Sequence, residues 1–598
     1  MSSHLSRKLV ILFLLVIIGL GFFLRAYHFS PWLHFELDQA RDARIVDDGL
    51  RGNFFDLPLL GPKAGGTSLR LPPAFYYLEY VSARVFGGTP AGIATLGMLL
   101  SVASIGVFFL LLRRYFPTGM SLGLTLLFAV SEYFVMYSRF AWNPNLIPFF
   151  VLLGTYALLR AVDHETSHRG RWFILSSASI ALAMQFHFLA FVSLPVIIGL
   201  FLLVRRPHFS LRAWVGALLV ALFLFFPMFL NEWETSFANS RAFVSAVTEK
   251  STKKDYSLAE KGIKVFSEYA LYGLVVTTGF ERATFPKIVL GTDEGEVIGW
   301  ACDARCDAGK WYGVLSVVVL GLMVLSLLVL WYRETVQKHR DFLFLGALWF
   351  GVTLLVFTPL AYDMVPRFFL LSGPLFLVFL GLLFVLLGQW CHRKRLVMSL
   401  FLVVIASLAV SNLVSLAERF EELSLASTVA VDSPPDRILK ERIRVTLEQQ
   451  YHIVDFLQSR SEETGYSVYM WSEPQYRRAL KYLLERQGVQ NAVLGFDGIY
   501  KEGVYYMILR TQSDIEDALK KYRASYDIGT TTSFGTLVAV ELFPKPEAIE
   551  KVRQDFSIVK PNDSQGLPRY TWREFFGRQG ASSAEPDAFD EENIDEDK

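Results

Sequence analysis

Charged residues are scarce in this sequence: they make up 19% of its 598 residues, whereas hydrophobic residues make up 53%. With a mean hydropathy of +0.35, the chain is too apolar to be a soluble protein of this size. Neither sign of charge dominates, since the formal net charge is +1. The sequence therefore gives no reason to expect nucleic acid or a strongly charged macromolecule as a partner.

Cysteine is almost absent, with Cys302, Cys306 and Cys391 as its whole complement. Two neighbouring cysteines are too few to predict a metal site, while a Cys302–Cys306 disulfide and two free thiols both stay open. A cleavage motif is missing as well, because the apolar run from Leu9 to Leu24 is followed by RAYH rather than by a small-x-small pattern. We therefore expect this run to be an uncleaved membrane anchor.

Long uncharged apolar runs are plentiful up to about residue 415 and absent after it. A helix of about 20 apolar residues crosses the ~30 Å hydrocarbon core, so each such run predicts a membrane span. About eleven spans are predicted, at 9–24, 91–112, 120–138, 144–162, 172–187, 188–204, 213–230, 311–332, 342–361, 368–389 and 396–415. The predicted fold class is a polytopic α-helical membrane protein, with its membrane domain in residues 1–415.

Basic residues are unevenly distributed over the short connections between these spans. Connections with clusters of basic residues alternate with connections that carry only Arg139 or Arg367. The positive-inside rule then places the N-terminus in the cytoplasm, and an odd number of spans places the C-terminus outside. The long segments 25–90 and 231–310 are expected outside too, and the aromatic run 71–86 is typical of a helix at the membrane interface.

Residues 416–575 are expected to form an external α/β domain. Strand-like SVYMW, VYYMILR and TLVAVELF alternate with helical QYRRALKYLLERQ and DIEDALKKY. The last segment, 576–598, ends in EPDAFDEENIDEDK, and such an acidic run with few apolar residues is typical of a disordered tail.

Acidic residues are concentrated directly after the first span, in FELDQARDARIVDDG at 35–49. Ordinary helical charge pairing explains part of this pattern, because Asp38 lies three residues before Arg41. A carboxylate that carries chemistry at the membrane surface is the alternative. Glu132 is a further candidate because an acid within a predicted span is costly enough to suggest a function.

Four motifs in order along the chain resemble those of one group of membrane enzymes. DQARD at 38–42, followed after a Gly-rich stretch by PPAFYYL at 72–78, looks like the first external loop of the protein O-mannosyltransferase and aminoarabinose (lipid A) transferase group. SRFAWNPNLIPFF at 138–150, QFHF at 185–188 and PRF at 366–368 leading to SGP are similar to later motifs of bacterial members. The resemblance covers nearly all of 9–415 and extends to the α/β tail, and it implies the C-type glycosyltransferase fold.

The resemblance implies a reaction as well as a fold. Such enzymes move a sugar from a polyprenyl-phosphate donor to a hydroxyl of an envelope acceptor, with inversion at C1, at the periplasmic face of a bacterial inner membrane. Because the lipid phosphate leaves as a stabilised anion, one general base suffices. The resemblance assigns that role to Asp38, with Asp42 in reserve.

Positive groups are needed where charge develops on the leaving phosphate. Arg139 and Arg367, lone arginines at external ends of spans, are the candidates, with Arg70 as a weaker third; snorkelling to lipid headgroups is the alternative for the first two. The remaining candidates, which are expected to contact the sugar or the acceptor, are His187, Gln185, Glu132, Asn143 and Tyr76. For His187, helix capping is an equally open interpretation.

Two departures from the group's pattern bear on metal dependence. Many members follow the first-loop aspartate with a glutamate, whereas Gln39 stands here, and many carry an acid where this chain has Asn143 and Asn145. Hard cations prefer several carboxylates, and neutral amides are poorer ligands. We therefore expect an enzyme without a metal cofactor, although a divalent metal is not excluded.

Other functional classes fit parts of the sequence. A polytopic transporter or lipid flippase has the same hydropathy, but we find no internal repeat of the kind such proteins carry. A non-enzymatic receptor with a partner-binding tail is a further alternative. An oligosaccharyltransferase is disfavoured because the tail lacks a WWD signature. The acceptor, whether protein, lipid A, teichoic acid or another envelope glycan, does not follow from family resemblance.

Overall fold

In a computed structural model of the protein, long helices form a bundle that is covered at one end by loops and by an α/β domain. The structure describes residues 6–65, 67–249, 256–290, 298–302, 304–391, 393–430, 436–488, 492–494, 499–500, 502–510, 515–520, 522–549 and 569–577. The acidic run predicted to be disordered lies outside the described residues.

Helices dominate the architecture. They are α1 (Arg7–Ala26), α2 (Leu37–Arg51), α3 (Ala74–Phe86), α4 (Pro90–Leu112), α5 (Thr118–Val130), α6 (Glu132–Met136), α7 (Ile147–Val162), α8 (Arg169–Met184), α9 (Phe188–Arg205), α10 (Leu211–Glu234), α11 (Ala238–Glu249), α12 (Leu258–Thr278), α13 (Ala304–Arg333), α14 (Gln337–Phe357), α15 (Gly373–Trp390), α16 (Lys394–Leu425), α17 (Leu447–Thr464), α18 (Pro474–Arg486), α19 (Ile515–Lys520) and α20 (Trp572–Gly577). Short 3₁₀ segments include Asn143–Leu146 and Pro366–Leu370.

Nine helices in the described part of the chain are long and apolar enough to cross a membrane, and the chain is a multi-pass membrane protein. They are Arg7–Ala26, Pro90–Leu112, Asn143–Val162, Phe188–Arg205, Leu211–Glu234, Cys306–Arg333, Gln337–Leu360, Gly373–Trp390 and Lys394–Leu425. Each corresponds to one of the eleven predicted spans. The count of eleven and the orientation stay predictions.

The other two predicted spans correspond to shorter helices. Segment 120–138 is divided between α5 and α6 at Ser131, whose hydroxyl donates to the Val276 carbonyl oxygen at 2.7 Å. The backbone N–H of Glu132 donates to the Asn412 amide oxygen at 2.9 Å. Hydrogen bonds to neighbouring helices therefore replace those that the break in the helix removes. Segment 172–187 forms the 16-residue α8, which ends before Gln185.

A helix that the apolar-run search did not predict lies within the long segment 231–310. The 21-residue α12 packs against α13, α15 and α16 and buries Val265, Tyr269 and Val275. Its first turns carry charged residues such as Lys261 and Lys264, which is why no uncharged run marks it. The segment is therefore more than the external loop that the sequence predicted. Cys302 and Cys306, at its end, form a disulfide with their Cα atoms 5.2 Å apart.

The α/β domain contains the predicted strands and helices. Its strands are β3 (Ser467–Ser472), β4 (Ala492–Leu494), β5 (Gly503–Arg510), β6 (Tyr526–Phe534) and β7 (Leu537–Pro544), after a separate β1–β2 hairpin (Lys287–Leu290, Ile298–Ala301). The sheet order is β4-β3-β5-β7-β6. Strand β3 is parallel to its neighbours β4 and β5, and strand β7 is antiparallel to its neighbours β5 and β6. The alternation seen in the sequence is thus confirmed, while β4 and β6 carry no strong strand signal.

The α/β domain is attached directly to the first external segment. The backbone N–H of Leu447 donates to the Leu33 carbonyl oxygen at 3.1 Å, and the Gln450 amide donates to the Phe35 carbonyl oxygen at 2.8 Å. Helix α18 packs on α2, where Arg486 pairs with Asp47 at 3.1 Å. These contacts place one wall of the domain against the segment that carries the acidic motif.

The chain returns to the same external segment near its described end. Thr571 forms a β-bridge with Pro58, and the Trp572 indole N–H donates to the Tyr77 hydroxyl at 2.9 Å. The guanidinium of Arg573 pairs with Asp56. Residues 569–577 therefore pack on the first external segment rather than on the α/β domain to which the sequence assigned most of them.

Candidate functional site

A cavity of ≈ 350 Å³ lies between the helix bundle and the α/β domain. Its lining comes from five parts of the chain: 34–39 in the first external segment, 137–142 after α6, 365–367 before α15, 439–442 after α16, and residues 473–475 with Arg510 in the α/β domain. Several charged side chains of both signs line it. Such a cavity is suited to a polar, charged substrate rather than to a lipid chain.

Asp38 lies in the first turn of α2 and faces this cavity. Its two carboxylate oxygens accept hydrogen bonds from Arg41 Nη1 at 2.8 Å and from Trp142 Nε1 at 3.0 Å. The side chain is 41% exposed, so a substrate has access to it. Burial raises the pKa of Asp38, but the positive charges of Arg41 and Arg367 and the Trp142 hydrogen bond outweigh that effect and leave the pKa lowered. The group is therefore ionised at neutral pH.

Gln39, the departure from the group's pattern, has a local structural role. Glu36 is the N-cap of α2, and its backbone N–H donates to the Gln39 side-chain oxygen at 3.1 Å, as in a capping box. A glutamine side chain satisfies this bond as well as a glutamate does. The amide thus fixes the start of the helix that presents Asp38.

Arg367 is the second predicted residue that lines the cavity. Its guanidinium carbon lies 5.1 Å from the centroid of the Trp142 ring, a cation–π distance, and its charge acts on Asp38. The Trp142 ring is nearly parallel to that of Tyr137, at 9°. A carboxylate, a guanidinium and an aromatic face therefore meet at one wall of the cavity.

Asp42 lies behind Asp38, buried from the cavity. Arg41 connects the two carboxylates, since its guanidinium is 2.8 Å from an oxygen of each. Burial raises the pKa of Asp42 to about 6, against the lowering effect of Arg41 and with a contribution from the Asp38 charge. On the far side lies Glu79, whose pKa burial raises well above the ordinary value. Asp42 is thus placed to adjust the position of Arg41 rather than to touch a substrate.

The strap, residues 436–446, precedes α17 and lines part of the cavity. Asp436 holds its start, accepting hydrogen bonds from the backbone N–H groups of Ile438 and Leu439 at 2.8 and 3.0 Å. Lys440 has a left-handed backbone (φ 59°), which is uncommon for a residue with a side chain. Lys440 and the exposed Arg442 both line the cavity, so the strap adds two positive charges to it.

A buried charge network fixes the strap to the bundle. Arg419 of α16 pairs with Glu132 at 2.7 Å, Glu281 at 2.8 Å and Asp436 at 3.2 Å. Arg444 pairs in turn with Asp436 at 2.7 Å. Glu132, which the sequence suggested as a substrate contact, therefore lies in a salt-bridge network and not in the cavity.

One group of side chains has the spacing of a cation site. The ligand atoms of His34, Glu36 and Glu441 lie within 4.8 Å of one another at the edge of the cavity. His34 Nδ1 is 2.7 Å from Glu441 Oε1. Burial lowers the pKa of His34, but the charges of Glu36 and Glu441 outweigh it and raise the pKa to about 9. These three residues would hold a cation if one bound, and the protonated histidine competes with it for the two carboxylates.

Arg139 lies at the end of α1 and not in the cavity. Its guanidinium donates to the carbonyl oxygens of Leu24 at 3.2 Å, Arg25 at 3.0 Å and His28 at 3.3 Å, and it lies 5.0 Å from the Phe420 ring centroid. It is 1% exposed. Arg139 therefore caps carbonyl oxygens at the end of a helix. The geometry gives no support to the prediction that Arg139 binds the donor phosphate.

The remaining predicted residues hold neighbouring loops. Gln185 accepts from the Ala74 N–H at 3.3 Å at the start of α3, and His187 caps α9 by accepting from the Leu189 N–H at 3.1 Å. The other three predicted residues also lie outside the cavity lining. The Asn143 amide donates to the Phe186 carbonyl oxygen at 2.7 Å. Arg70 is buried beside Gly61 and Asn239, and Tyr76 is buried beside Asp42. For His187 the capping interpretation is the one that the structure matches.

Apart from Arg367, the sequence did not identify the aromatic and basic residues of the cavity. Trp142 stands within the motif 138–150, but nothing in the motif distinguishes it from its neighbours. The other basic residues of the cavity lie in a region whose sequence is typical of a linker and a soluble domain; they are Lys440, Arg442 and Arg510. Their approach to Asp38 is tertiary, across more than 400 residues of chain, and no local pattern encodes it.

Comparisons with known proteins agree with the resemblance stated from the motifs. Residues 70–230 match the family model described as dolichyl-phosphate-mannose-protein mannosyltransferase. The Bacillus subtilis (strain 168) protein named "Putative mannosyltransferase YycA" is 26% identical over 190 residues, which are 31% of this chain. The chain spans 27% of the length of that relative.

The fold is shared with a solved structure. ArnT from Cupriavidus metallidurans, bound to undecaprenyl phosphate, superposes with a TM-score of 0.54 at 12% identity, covering 92% of this chain and 100% of that one. The archaeal oligosaccharyltransferase AglB from Archaeoglobus fulgidus, with a dolichol-phosphate, gives a TM-score of 0.48 at 12% identity over 92% of this chain and 75% of that one. The resemblance to the C-type group that contains protein mannosyltransferases and ArnT is confirmed, and the fold is shared at low sequence identity.

Proposed function

We propose that this protein is a lipid-phosphate-dependent glycosyltransferase that moves a sugar from a polyprenyl-phosphate donor to a hydroxyl of an envelope acceptor. The observation that carries the proposal is the meeting of Asp38, Arg367 and Trp142 at one wall of the cavity. The match of 70–230 to a mannosyltransferase family and the fold shared with ArnT support it. The reaction takes place at the periplasmic face of a bacterial inner membrane.

The roles of the three groups follow from their chemistry. The acceptor oxygen forms a bond to C1 of the sugar while the bond from C1 to the phosphate oxygen breaks, with inversion at C1. The acceptor proton passes to Asp38, and the bonding pair leaves with the lipid phosphate. A carboxylate of lowered pKa is a weak base. It suffices because the acceptor hydroxyl becomes strongly acidic as its oxygen bonds to C1, and the proton is transferred at that moment.

The leaving phosphate is placed against Arg367. A preorganised guanidinium stabilises developing negative charge better than solvent does. Lys440 and Arg442 add positive charge to the lining of the cavity, and Trp142 adds aromatic surface to it. No step in this scheme uses a metal ion or another cofactor.

A transporter or flippase is the competing function, and one experiment separates the two. Purified protein in detergent is incubated with a radiolabelled polyprenyl-phosphate hexose and an extract of envelope glycoconjugates. The glycosyltransferase releases polyprenyl phosphate and labels the extract, whereas a flippase leaves the donor intact.

Asp38→Asn is the matched catalytic variant. A general base contributes about 10²- to 10⁴-fold, so we expect transfer to fall by that range. Asp48→Asn, on the same helix and with its side chain 62% exposed, is the control and should keep wild-type activity. Intact activity in Asp38→Asn, or donor cleavage equal in both variants, contradicts the assignment.

A further inference from the structure

A second cavity, of ≈ 400 Å³, lies at the opposite end of the helix bundle from the cavity of Asp38. Chain order places it there, since it is formed where α4 passes into α5, where α13 passes into α14 and where α15 passes into α16. Each of these connections lies one membrane crossing away from a segment beside Asp38. The cavity therefore belongs to a different surface of the membrane from the proposed reaction.

The walls of this cavity change character with depth. Those furthest from the helix ends are apolar, among them Phe342, Leu382 and Phe401. A space of this size with such walls is unfavourable for water, because apolar surface gains free energy when it is covered by other apolar groups. Within a membrane, the apolar material at hand is the acyl chain of a lipid.

Polar residues of the lining are confined to helix ends. Glu334 follows α13, His339 is in the first turn of α14, Gln389 is near the end of α15 and Lys394 begins α16. Glu334 and His339 face each other at 3.4 Å. The Lys394 ammonium forms no hydrogen bond or ion pair with any other residue that the structure describes, and the exposed Arg393 and Arg395 stand on either side of it. The mouth thus offers an available positive charge above an apolar interior.

We propose that this cavity binds one anionic glycerophospholipid, with an acyl chain between the helices and the headgroup phosphate at Lys394. Charge complementarity favours an anionic headgroup, because a lysine near the membrane surface attracts such lipids. The site is separate from the donor site and does not depend on the proposed transfer reaction.

The test measures which lipid the full-length protein retains. The protein is exchanged from detergent with phosphatidylglycerol into lipid-free detergent, and the retained lipid is counted by native mass spectrometry. We expect about one phosphatidylglycerol per chain, and markedly less phosphatidylcholine in a parallel exchange. Equal retention of the two lipids, or no retained lipid, overturns the proposal.

Two variants with matched controls test the two halves of the site. Lys394→Gln should weaken phosphatidylglycerol retention about fivefold and leave phosphatidylcholine unchanged. Arg395→Gln, one residue further along and outside the lining, should leave both unchanged. If the two variants behave alike, Lys394 does not hold the headgroup.

Gly388→Leu narrows the cavity near its mouth, since a Cβ at this glycine has only Val397 within 4 Å, at 3.9 Å. Each methylene of the acyl chain that is excluded should weaken retention about fourfold, for either headgroup. Gly321→Leu is the control, because a Cβ there meets nothing within 4 Å and the residue is not part of the lining. Unchanged retention in Gly388→Leu also contradicts the proposal, and both Lys394→Gln and Gly388→Leu should keep transfer activity in uniform detergent.

Discussion

Arg367 offers the sharpest test of how the cavity handles the lipid phosphate. In Arg367→Gln, the positive charge near Asp38 and its stacking on Trp142, at 5.1 Å, are both lost. Arg367→Lys keeps the charge and removes the planar contact. The two substitutions therefore separate electrostatic stabilisation of the leaving group from the packing that positions the tryptophan.

The expected magnitude follows from the surroundings of the guanidinium. A unit charge about 4 Å from the phosphate is worth roughly 4 kcal/mol at an effective dielectric constant of 20, and partial access of solvent reduces that value. Removing one preorganised group of this kind costs about 10²- to 10³-fold in kcat, or about 2.7 to 4 kcal/mol. We expect Arg367→Gln to lose that much, and Arg367→Lys about tenfold.

The assay is the initial rate of sugar release from a labelled polyprenyl-phosphate donor, measured over a range of donor concentrations so that kcat and KM separate. Arg84→Gln is the matched control, because Arg84 lies 5.3 Å from the Tyr80 ring in the same type of contact but outside the cavity. A wild-type kcat for Arg367→Gln, or an equal loss in Arg84→Gln, refutes the role assigned to Arg367.

Three further outcomes follow from buried charges. Burial raises the pKa of Asp42 to about 6 in the folded protein, above its ordinary value of 3.8. The contribution of this group to folding stability is therefore fully present below pH 3.8 and is lost as the pH rises through about 6. Asp42→Asn should raise the melting temperature relative to wild type at pH 8 and not at pH 4. Arg419→Gln leaves Glu132, Glu281 and Asp436 without their shared partner and should cost about 3–5 kcal/mol of stability in a denaturant titration, whereas Arg395→Gln should cost none. Chelation by EDTA should leave the transfer rate unchanged, because the protonated His34, with its pKa raised to about 9, competes with a cation for Glu36 and Glu441. A transfer rate that falls with EDTA and is restored by Mg²⁺ or Mn²⁺ contradicts this.

Much of the architecture follows from the sequence because it rests on local patterns. Apolar runs identify the nine long helices, and alternation identifies β3, β5 and β7. Helix α12 escapes that search, since Lys261 and Lys264 interrupt its apolar face and packing rather than composition places it in the bundle. The broken passage from α5 to α6 escapes it too, because Asn412 and Val276, distant in sequence, satisfy the break.

The site is less accessible to sequence reasoning than the fold. Arg139 and Arg367 are equivalent in the sequence, each a lone arginine at the end of a span. Only the three-dimensional neighbours distinguish them, since one meets the carbonyl oxygens of α1 and the other meets Trp142 and the charge of Asp38. The positive charges of the strap reach the cavity through tertiary packing, for which one sequence contains no local signal.

The network around Arg419 has a consequence for how a large acceptor reaches Asp38. Lifting the strap away from the bundle would pull Asp436 from Arg419 and expose several buried charges at once, which is costly. The strap is therefore part of the rigid scaffold beside Asp38, and we expect it to stay in place throughout the proposed turnover. A bulky glycan or polypeptide acceptor must then present its hydroxyl to Asp38 without moving the strap aside.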